Sequence, residues 1–124
     1  MAAARILIVE DEAIVALALK RKIEAWGYVA TSVEREGAAA IRSFDHDAPD
    51  LALLDIFLAD AVDGIDVAKH IRRRGGTPYA FLTASVDPAT QARALAERPL
   101  AIIQKPFSDK ALKSLIVGVL DPRG

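Results

Sequence analysis

The sequence predicts an α/β fold in which five parallel strands form a doubly wound sheet with helices on both faces. Short runs rich in Ile, Val and Leu alternate with longer segments that have a helical period. Acidic residues, Gly or Pro bound each run, as is typical of buried parallel strands. Because the connections are short, the crossovers should be right-handed and the strands parallel.

The first two strand–helix units are recognised by aliphatic runs and one glycine. The run "RILIV" predicts a strand at Arg5–Val9, and the helical period that follows predicts a helix over Glu12–Trp26. Gly27 comes directly after this helix and is a common helix-ending residue. A second strand is predicted at Tyr28–Ser32 and a second helix over Glu34–Phe44.

The other strands and helices continue the same alternation. They are predicted at Leu51–Leu54, Ile65–Arg74, Pro78–Leu82, Pro88–Glu97, Leu100–Gln104 and Asp109–Leu120. Asp87 should cap the helix that begins at Pro88, since proline is favoured at the first helical position. Ser108 should cap the last helix in the same way.

Composition narrows the class of protein. The chain has 124 residues, of which 52% are apolar and 27% charged, as in one globular domain. The net charge of −1 gives no field that would attract nucleic acid or an anionic membrane. The absence of cysteine excludes disulfides, thiolate zinc sites and cysteine nucleophiles. No apolar segment has a membrane-spanning length, and the N-terminus is unlike a signal peptide, so we expect one cytoplasmic domain over residues 1–124.

Chemical groups end four of the five predicted strands. The first strand leads into Glu10 and Asp11, the third into Asp55, the fourth into Thr83 and the fifth into Lys105. Functional groups of open parallel sheets gather beyond the carboxyl ends of the strands. With the strand order 2-1-3-4-5, three acids, a hydroxyl and an ammonium should therefore converge.

This set of groups suits phosphoryl transfer. Carboxylates packed so closely would force one of them to stay protonated unless a cation compensates them. Mg²⁺ binds oxygen ligands, usually one or two carboxylates and several waters, and Lys105 supplies a further positive charge. Asp55 could then attack phosphorus and become an aspartyl phosphate.

Each of these residues alone has a simpler interpretation. Asp11 or Glu12 could cap the first helix, Thr83 could be a turn residue, and a single Lys-Pro pair carries little information. Their joint occurrence at four strand ends is much harder to explain by capping and turns alone.

The chain resembles a receiver domain of the two-component response-regulator family. The resemblance rests on "ILIVEDE", "PDLALLDIFL", "DG" at Asp63-Gly64, "FLTAS" and "QKPF", and covers almost the whole sequence. It implies the receiver, flavodoxin-like fold and a signalling phosphoacceptor. Such a protein is not an enzyme beyond self-catalysed phosphotransfer and autodephosphorylation.

The resemblance also implies a set of metal ligands. Asp11 and Asp55 would bind Mg²⁺ directly, and the backbone carbonyl of Phe57 would be a third ligand. Glu10 would act mostly through a bound water; it replaces the commoner aspartate.

For the phosphoryl group, the resemblance implies that Asp55 is the modified residue. It would take phosphate from a phosphohistidine of a histidine kinase or a histidine phosphotransfer protein. Lys105 would pair with Asp55 before the reaction and with the phosphoryl oxygens after it. Thr83 and Ala84 would also bind the phosphoryl group, and the bond from Lys105 to Pro106 is cis in many relatives.

Two departures from the family pattern stand out. Ile102 lies three positions before the lysine, where relatives often have an aromatic residue that couples to the threonine, so the signal should leave by another route. The loop "DIFLADAVDG" is one residue longer than the commonest form, and Ala59 stands where a proline is often found.

Surface positions suggest partners. On a helical wheel of the first helix, Ile14 and Leu17 face outward, where a helix of a phosphodonor could dock. The inward positions are Ala18, Leu19, Ile23 and Trp26, with Val15 near the edge. His46 and His70 are expected to face solvent, and "DHD" at Asp45–Asp47 is expected to be a loop.

The family would use its fourth and fifth helices for an output protein or a homodimer. The chain ends at "DPRG", so we expect a receiver without an output domain in this chain, either a stand-alone protein or a piece of a longer one.

Other functions fit less well. A nucleotide- or flavin-binding protein would need a phosphate-cradling loop after the first strand, where "VEDEA" places carboxylates instead. A phosphohydrolase like the haloacid dehalogenases would have an Asp-x-Asp motif on the first strand, whereas "DIF" follows the third. A degenerate receiver that only binds partners would not need the intact acid, threonine and lysine set.

Overall fold

The computed structural model describes residues 3–84 and 87–121. The strands are β1 (Arg5–Val9), β2 (Val29–Glu34), β3 (Leu51–Leu54), β4 (Tyr79–Thr83) and β5 (Ile102–Gln104). The helices are α1 (Ala13–Ala25), α2 (Gly37–His46), α3 (Gly64–Arg74), α4 (Pro88–Ala96) and α5 (Asp109–Leu120). No helix of the described residues combines the length and the hydrophobicity that a membrane span requires.

All strands are parallel and lie in the order β2-β1-β3-β4-β5, which confirms the predicted sheet. The register places Val9 of β1 beside Leu54 of β3, and Thr83 of β4 beside Gln104 of β5. The residues that follow these strands therefore meet at the same edge of the sheet.

The core has two layers, one on each face of the sheet. Alternate residues of a strand point to opposite faces, so Leu7 and Val9 pack with α2, α3 and α4, whereas Ile6 and Ile8 pack with α1 and α5. Buried aliphatic residues make up most of both layers, and the layer under α2, α3 and α4 also contains three aromatic side chains. The central strand β3 is buried along its whole length.

The second strand differs from the prediction. Glu34 was expected to begin the second helix, but β2 runs on to Glu34, and α2 begins at Gly37. Pairing with β1 explains the extension, because the carbonyl of Glu34 accepts the backbone amide of Glu10 at 2.9 Å. A polar strand end of this kind has no apolar pattern by which it could be predicted.

Three residues predicted to lie at helix ends are confirmed in that role. Gly27 follows α1 with a φ of 95°, a conformation that suits glycine. Asp87 accepts the amide of Thr90 at the start of α4, and Ser108 accepts the amide of Ala111 at the start of α5.

Two expected side-chain positions were wrong. Ala18 is exposed, since the buried positions of α1 are Ala16, Leu19 and Ile23. His70 does not face solvent freely: its ring packs edge-on against Phe44 and its Nε2 lies 2.7 Å from Asp45 of α2.

The same region corrects the predicted loop at "DHD". Asp45 and His46 belong to the last turn of α2, and only Asp47 follows the helix. His46 is exposed, as expected.

Candidate functional site

Three acids meet at the carboxyl edge of the sheet. Carboxylate oxygens of Glu10, Asp11 and Asp55 all lie within 4.8 Å of one another. Glu10 and Asp55 are buried, whereas Asp11 is half-buried. The amide of Asp55 donates to the carbonyl of Val9 at 2.8 Å, so the β1–β3 pairing itself brings these groups together.

Lys105 reaches the acids from the other side. Its Nζ binds Glu10 Oε1 and lies 3.3 Å from Asp55 Oδ2. Its backbone amide donates to the carbonyl of Thr83 at 2.8 Å, which fixes the end of β5 to the end of β4. The peptide bond from Lys105 to Pro106 is cis, as the family resemblance implied.

The charges are unequally shared in this cluster. Burial and the neighbouring Glu10 carboxylate raise the pKa of Asp55 to about 7, although Lys105 acts in the opposite direction. Burial also acts to raise the pKa of Glu10, but hydrogen bonds with Lys105, Asp55 and the backbone amide of Glu12 outweigh it and lower the value. One ammonium therefore compensates little more than one of the two buried carboxylates.

The Lys105 ammonium is held in its charged form. Burial acts to lower the pKa of Lys105, but the hydrogen bond to Glu10 and the charges of Asp55 and Glu10 raise it above its ordinary value. The direct contact with Glu10 was not expected from the sequence, which suggested only a pair with Asp55.

Gly64 packs directly against the backbone of Asp55. A Cβ at Gly64 would overlap the backbone carbonyl of Asp55 and approach the Cα of Ile56. The amide of Gly64 also donates to the carbonyl of Ile56 at 2.7 Å. The absence of a side chain at Gly64 thus lets the start of α3 lie against the end of β3, a role that was not predicted from the sequence.

The remaining predicted residues surround the cluster. Thr83 is fully buried at the end of β4, and Ala84 beside it is exposed. Phe57 follows Asp55 by two positions, and its side chain is more than half exposed. The roles assigned to these residues and to the acids stay predictions.

The donor atoms fit a magnesium ion. All three candidate side chains offer carboxylate oxygens, the ligand type that hard divalent cations prefer. The two buried acids carry more negative charge than Lys105 can offset, so an added cation would relieve their repulsion.

Comparison with known proteins agrees with this geometry. The family model of the response regulator receiver domain matches residues 6–117. The DNA-binding response regulator MtrA of Mycobacterium tuberculosis is 35% identical over 108 residues, covering 87% of this chain and 46% of that protein. The chain spans about half the length of the curated relatives it matches.

Solved structures show the same fold. The signal receiver domain of a modulated diguanylate cyclase from Desulfovibrio desulfuricans G20 has a TM-score of 0.89 and 32% identity, over 96% of this chain and 94% of that one. The receiver domain of the sensor histidine kinase PA1611 from Pseudomonas aeruginosa PAO1, with magnesium coordinated in its active-site cleft, has a TM-score of 0.83 and 25% identity, over 95% and 98%. The chain belongs to the response regulator receiver domain family, whose members are two-component signalling proteins.

Proposed function

We propose that Asp55 accepts a phosphoryl group from a phosphohistidine in a Mg²⁺-dependent step of a phosphorelay. The observation that carries this proposal is a buried carboxylate beside two further acids and a lysine at one sheet edge. An Asp55 oxygen attacks phosphorus, the P–N bond of the donor breaks, and the imidazole leaves. This self-catalysed transfer, and the later hydrolysis of the acyl phosphate, would be the chain's own chemistry.

The chain's residues divide the work among them. The Lys105 ammonium lies 3.3 Å from the Asp55 carboxylate and would pair with the phosphoryl oxygens after transfer. Thr83 ends the neighbouring strand β4, Ala84 follows it, and both would bind the other phosphoryl oxygens. Burial of Asp55 keeps water away from its carboxylate. Transfer of the phosphoryl group to Asp55 is therefore favoured over its transfer to water.

Asp11, Asp55 and the Phe57 carbonyl would hold Mg²⁺, with Glu10 acting through a bound water. When bound, the ion neutralises the carboxylates and the phosphoryl oxygens. The magnesium in the related receiver of PA1611 supports this assignment.

We propose a histidine kinase or a histidine phosphotransfer protein as the phosphodonor. Ile14 is 85% exposed and Leu17 is 47% exposed on α1, the helix that follows the acidic loop, and they would receive a donor helix. An output protein or a second copy would bind through α4 and α5. We further propose a single receiver domain over residues 1–124 that acts in the cytoplasm without itself binding nucleic acid.

Acetyl phosphate tests the central chemistry. Incubation of the chain with acetyl phosphate and Mg²⁺ should add one phosphoryl group by intact mass, and hydroxylamine should remove it. Asp55→Ala should remain unmodified, whereas Asp50→Ala, an acid at the opposite end of the sheet, should react normally. Equal labelling of Asp55→Ala would overturn the proposal, and so would labelling that does not depend on Mg²⁺.

A further inference from the structure

The long loop after Asp55 is fastened to the start of a different helix. Asp60 lies in this loop, and its two carboxylate oxygens accept the backbone amides of Gly37 at 2.8 Å and Ala38 at 3.0 Å. These are the first residues of α2, and Glu36 before them contributes no side-chain cap. Asp60 therefore supplies from a distance the cap that the helix lacks.

Two further contacts join the loop after Asp55 to the residues at the start of α2. The amide of Ala59 donates to the carbonyl of Arg35 at 3.3 Å. A Cβ on Gly37 would overlap the backbone carbonyl of Val62, so the absence of a side chain there lets the loop lie flat on the helix. The loop is thus held to the start of α2 by the Asp60 side chain and close packing, and to the residue Arg35 before the helix by a backbone hydrogen bond.

The residues just before α2 also contact the loop that contains Asp11. Arg35 Nε donates to the backbone carbonyl of Asp11 at 2.9 Å. Residues 35–38, which we call the anchor segment, therefore contact both the loop that contains Asp11 and the loop that contains Phe57. These are the two loops that would supply magnesium ligands in addition to Asp55.

We infer that Asp60 is a positioning residue of the phosphoacceptor site: by binding the start of α2, it fixes the loop after Asp55 relative to Asp11. This inference rests on the proposed function. Asp60 itself touches no reacting group; it acts through the backbone of the loop. Outer contacts that orient ligands strongly affect metal affinity in proteins, and Asp60 would be such a contact.

The test compares three variants of the junction with a matched control. Asp60→Ala removes both hydrogen bonds, and Asp60→Asn keeps one acceptor oxygen. Gly37→Ala adds a methyl group that would overlap the Val62 carbonyl and so push the loop away from α2. The control is Asp50→Ala, which also removes a carboxylate that accepts a distant backbone amide, that of Arg5 at 2.8 Å, but at the far end of the sheet.

Three measurements are made on each protein: amide hydrogen exchange of residues 56–64 without Mg²⁺, Mg²⁺ affinity by calorimetry, and the rate with acetyl phosphate. Asp60→Ala should speed exchange in the loop and weaken Mg²⁺ binding on the order of 10-fold, the lower end for lost outer contacts. Saturating Mg²⁺ should restore most of the rate. Asp60→Asn should be intermediate, and Gly37→Ala should resemble Asp60→Ala.

The outcomes separate this inference from the proposed function. A wild-type chain that neither binds Mg²⁺ nor reacts would overturn both. A reactive wild type whose Asp60 and Gly37 variants match Asp50→Ala in loop exchange and Mg²⁺ affinity would overturn the inference alone. If Asp60→Ala does not fold, Asp60→Asn and Gly37→Ala decide by the same comparison.

Discussion

At the scale of single residues, Asp55 is held in a site that opposes its own ionisation. It is buried beside Glu10, and their shared cation Lys105 also binds Glu10. Evolution of a stable fold alone would favour an uncharged residue here, because a buried, poorly compensated carboxylate destabilises the folded state. A carboxyl group at this position is therefore better explained by the proposed reaction than by folding.

Asp55→Asn should stabilise the metal-free protein in a pH-dependent way. The folded state keeps a proton on Asp55 up to about pH 7, whereas the unfolded chain loses it near the ordinary value of 3.8. Wild-type stability from this group thus falls as pH rises from about 4 to about 7, by at most ~1.4 kcal/mol per pH unit. The advantage of Asp55→Asn should widen over that range and then level off.

Urea unfolding in EDTA at pH 5, 6, 7 and 8 measures this difference. Saturating Mg²⁺ provides the control, because it should reduce the gap by stabilising the wild type. A gap that stays constant with pH would show that Asp55 is not forced toward its neutral form.

At the scale of elements, the sequence patterns predicted the type and order of the strands and helices better than their end residues or the side-chain contacts between them. The aliphatic runs of β1 and β3 were located to the residue, and the residues after four strands indicated the acids, threonine and lysine of the site. The end of β2 at Glu34 was missed because its pairing with β1 leaves no apolar signal. The contact of Asp60 with α2 was missed because it joins residues 22 and 23 positions apart, and nothing local marks it.

Gly64→Ala should damage both the fold and the reaction. The new methyl group would overlap the Asp55 carbonyl, and such overpacking typically destabilises by about 1–3 kcal/mol. Because the displaced backbone belongs to Asp55, the rate with acetyl phosphate should fall as well. Chemical unfolding and intact mass measure the two effects.

Gly118→Ala is the matched control, since Gly118 lies within α5 and a Cβ there meets nothing within 4 Å. It should raise stability by about 0.5–1 kcal/mol through helix propensity and leave the reaction unchanged. Equal effects of the two substitutions would show that Gly64 is not needed for close approach to Asp55.

The exposed face of α1 should matter for a protein donor but not for a small one. Ile14→Ser with Leu17→Ser should slow transfer from a cognate phosphohistidine protein, because both apolar side chains would be buried on docking. The rate with acetyl phosphate should not change. Leu95→Ser on α4 is the control, as Leu95 is 61% exposed but lies on another helix; the same loss with both donors would contradict docking on α1.

At the scale of the whole molecule, one sheet carries both the apolar core and an edge where acidic side chains repel one another. Two apolar layers cover the faces of the sheet, and the described side chains leave no buried polar atom without a hydrogen-bond partner. The acids lie beyond the strand ends, so the repulsion among them is resisted by the full β1–β3 pairing. Any ligand that relieves the repulsion should therefore stabilise the entire fold, not only the site.

Mg²⁺ should raise the unfolding temperature of the wild type, and the rise should be larger at pH 8 than at pH 5.5. A ligand that binds only the folded state adds RT ln(1 + [L]/Kd), or about 2.7 kcal/mol when its concentration is 100 times Kd. At pH 5.5 the proton that burial and Glu10 keep on Asp55 competes with the ion.

Asp11→Asn should reduce the rise at both pH values, whereas Asp50→Asn should preserve it, because Asp50 lies at the far end of the sheet beside Arg5. Thermal unfolding over a series of Mg²⁺ concentrations measures the shifts, with matched ionic strength to remove general screening. If Asp11→Asn and Asp50→Asn shifted equally, the stabilisation would come from general ionic effects, and the three acids would not act together as one magnesium site.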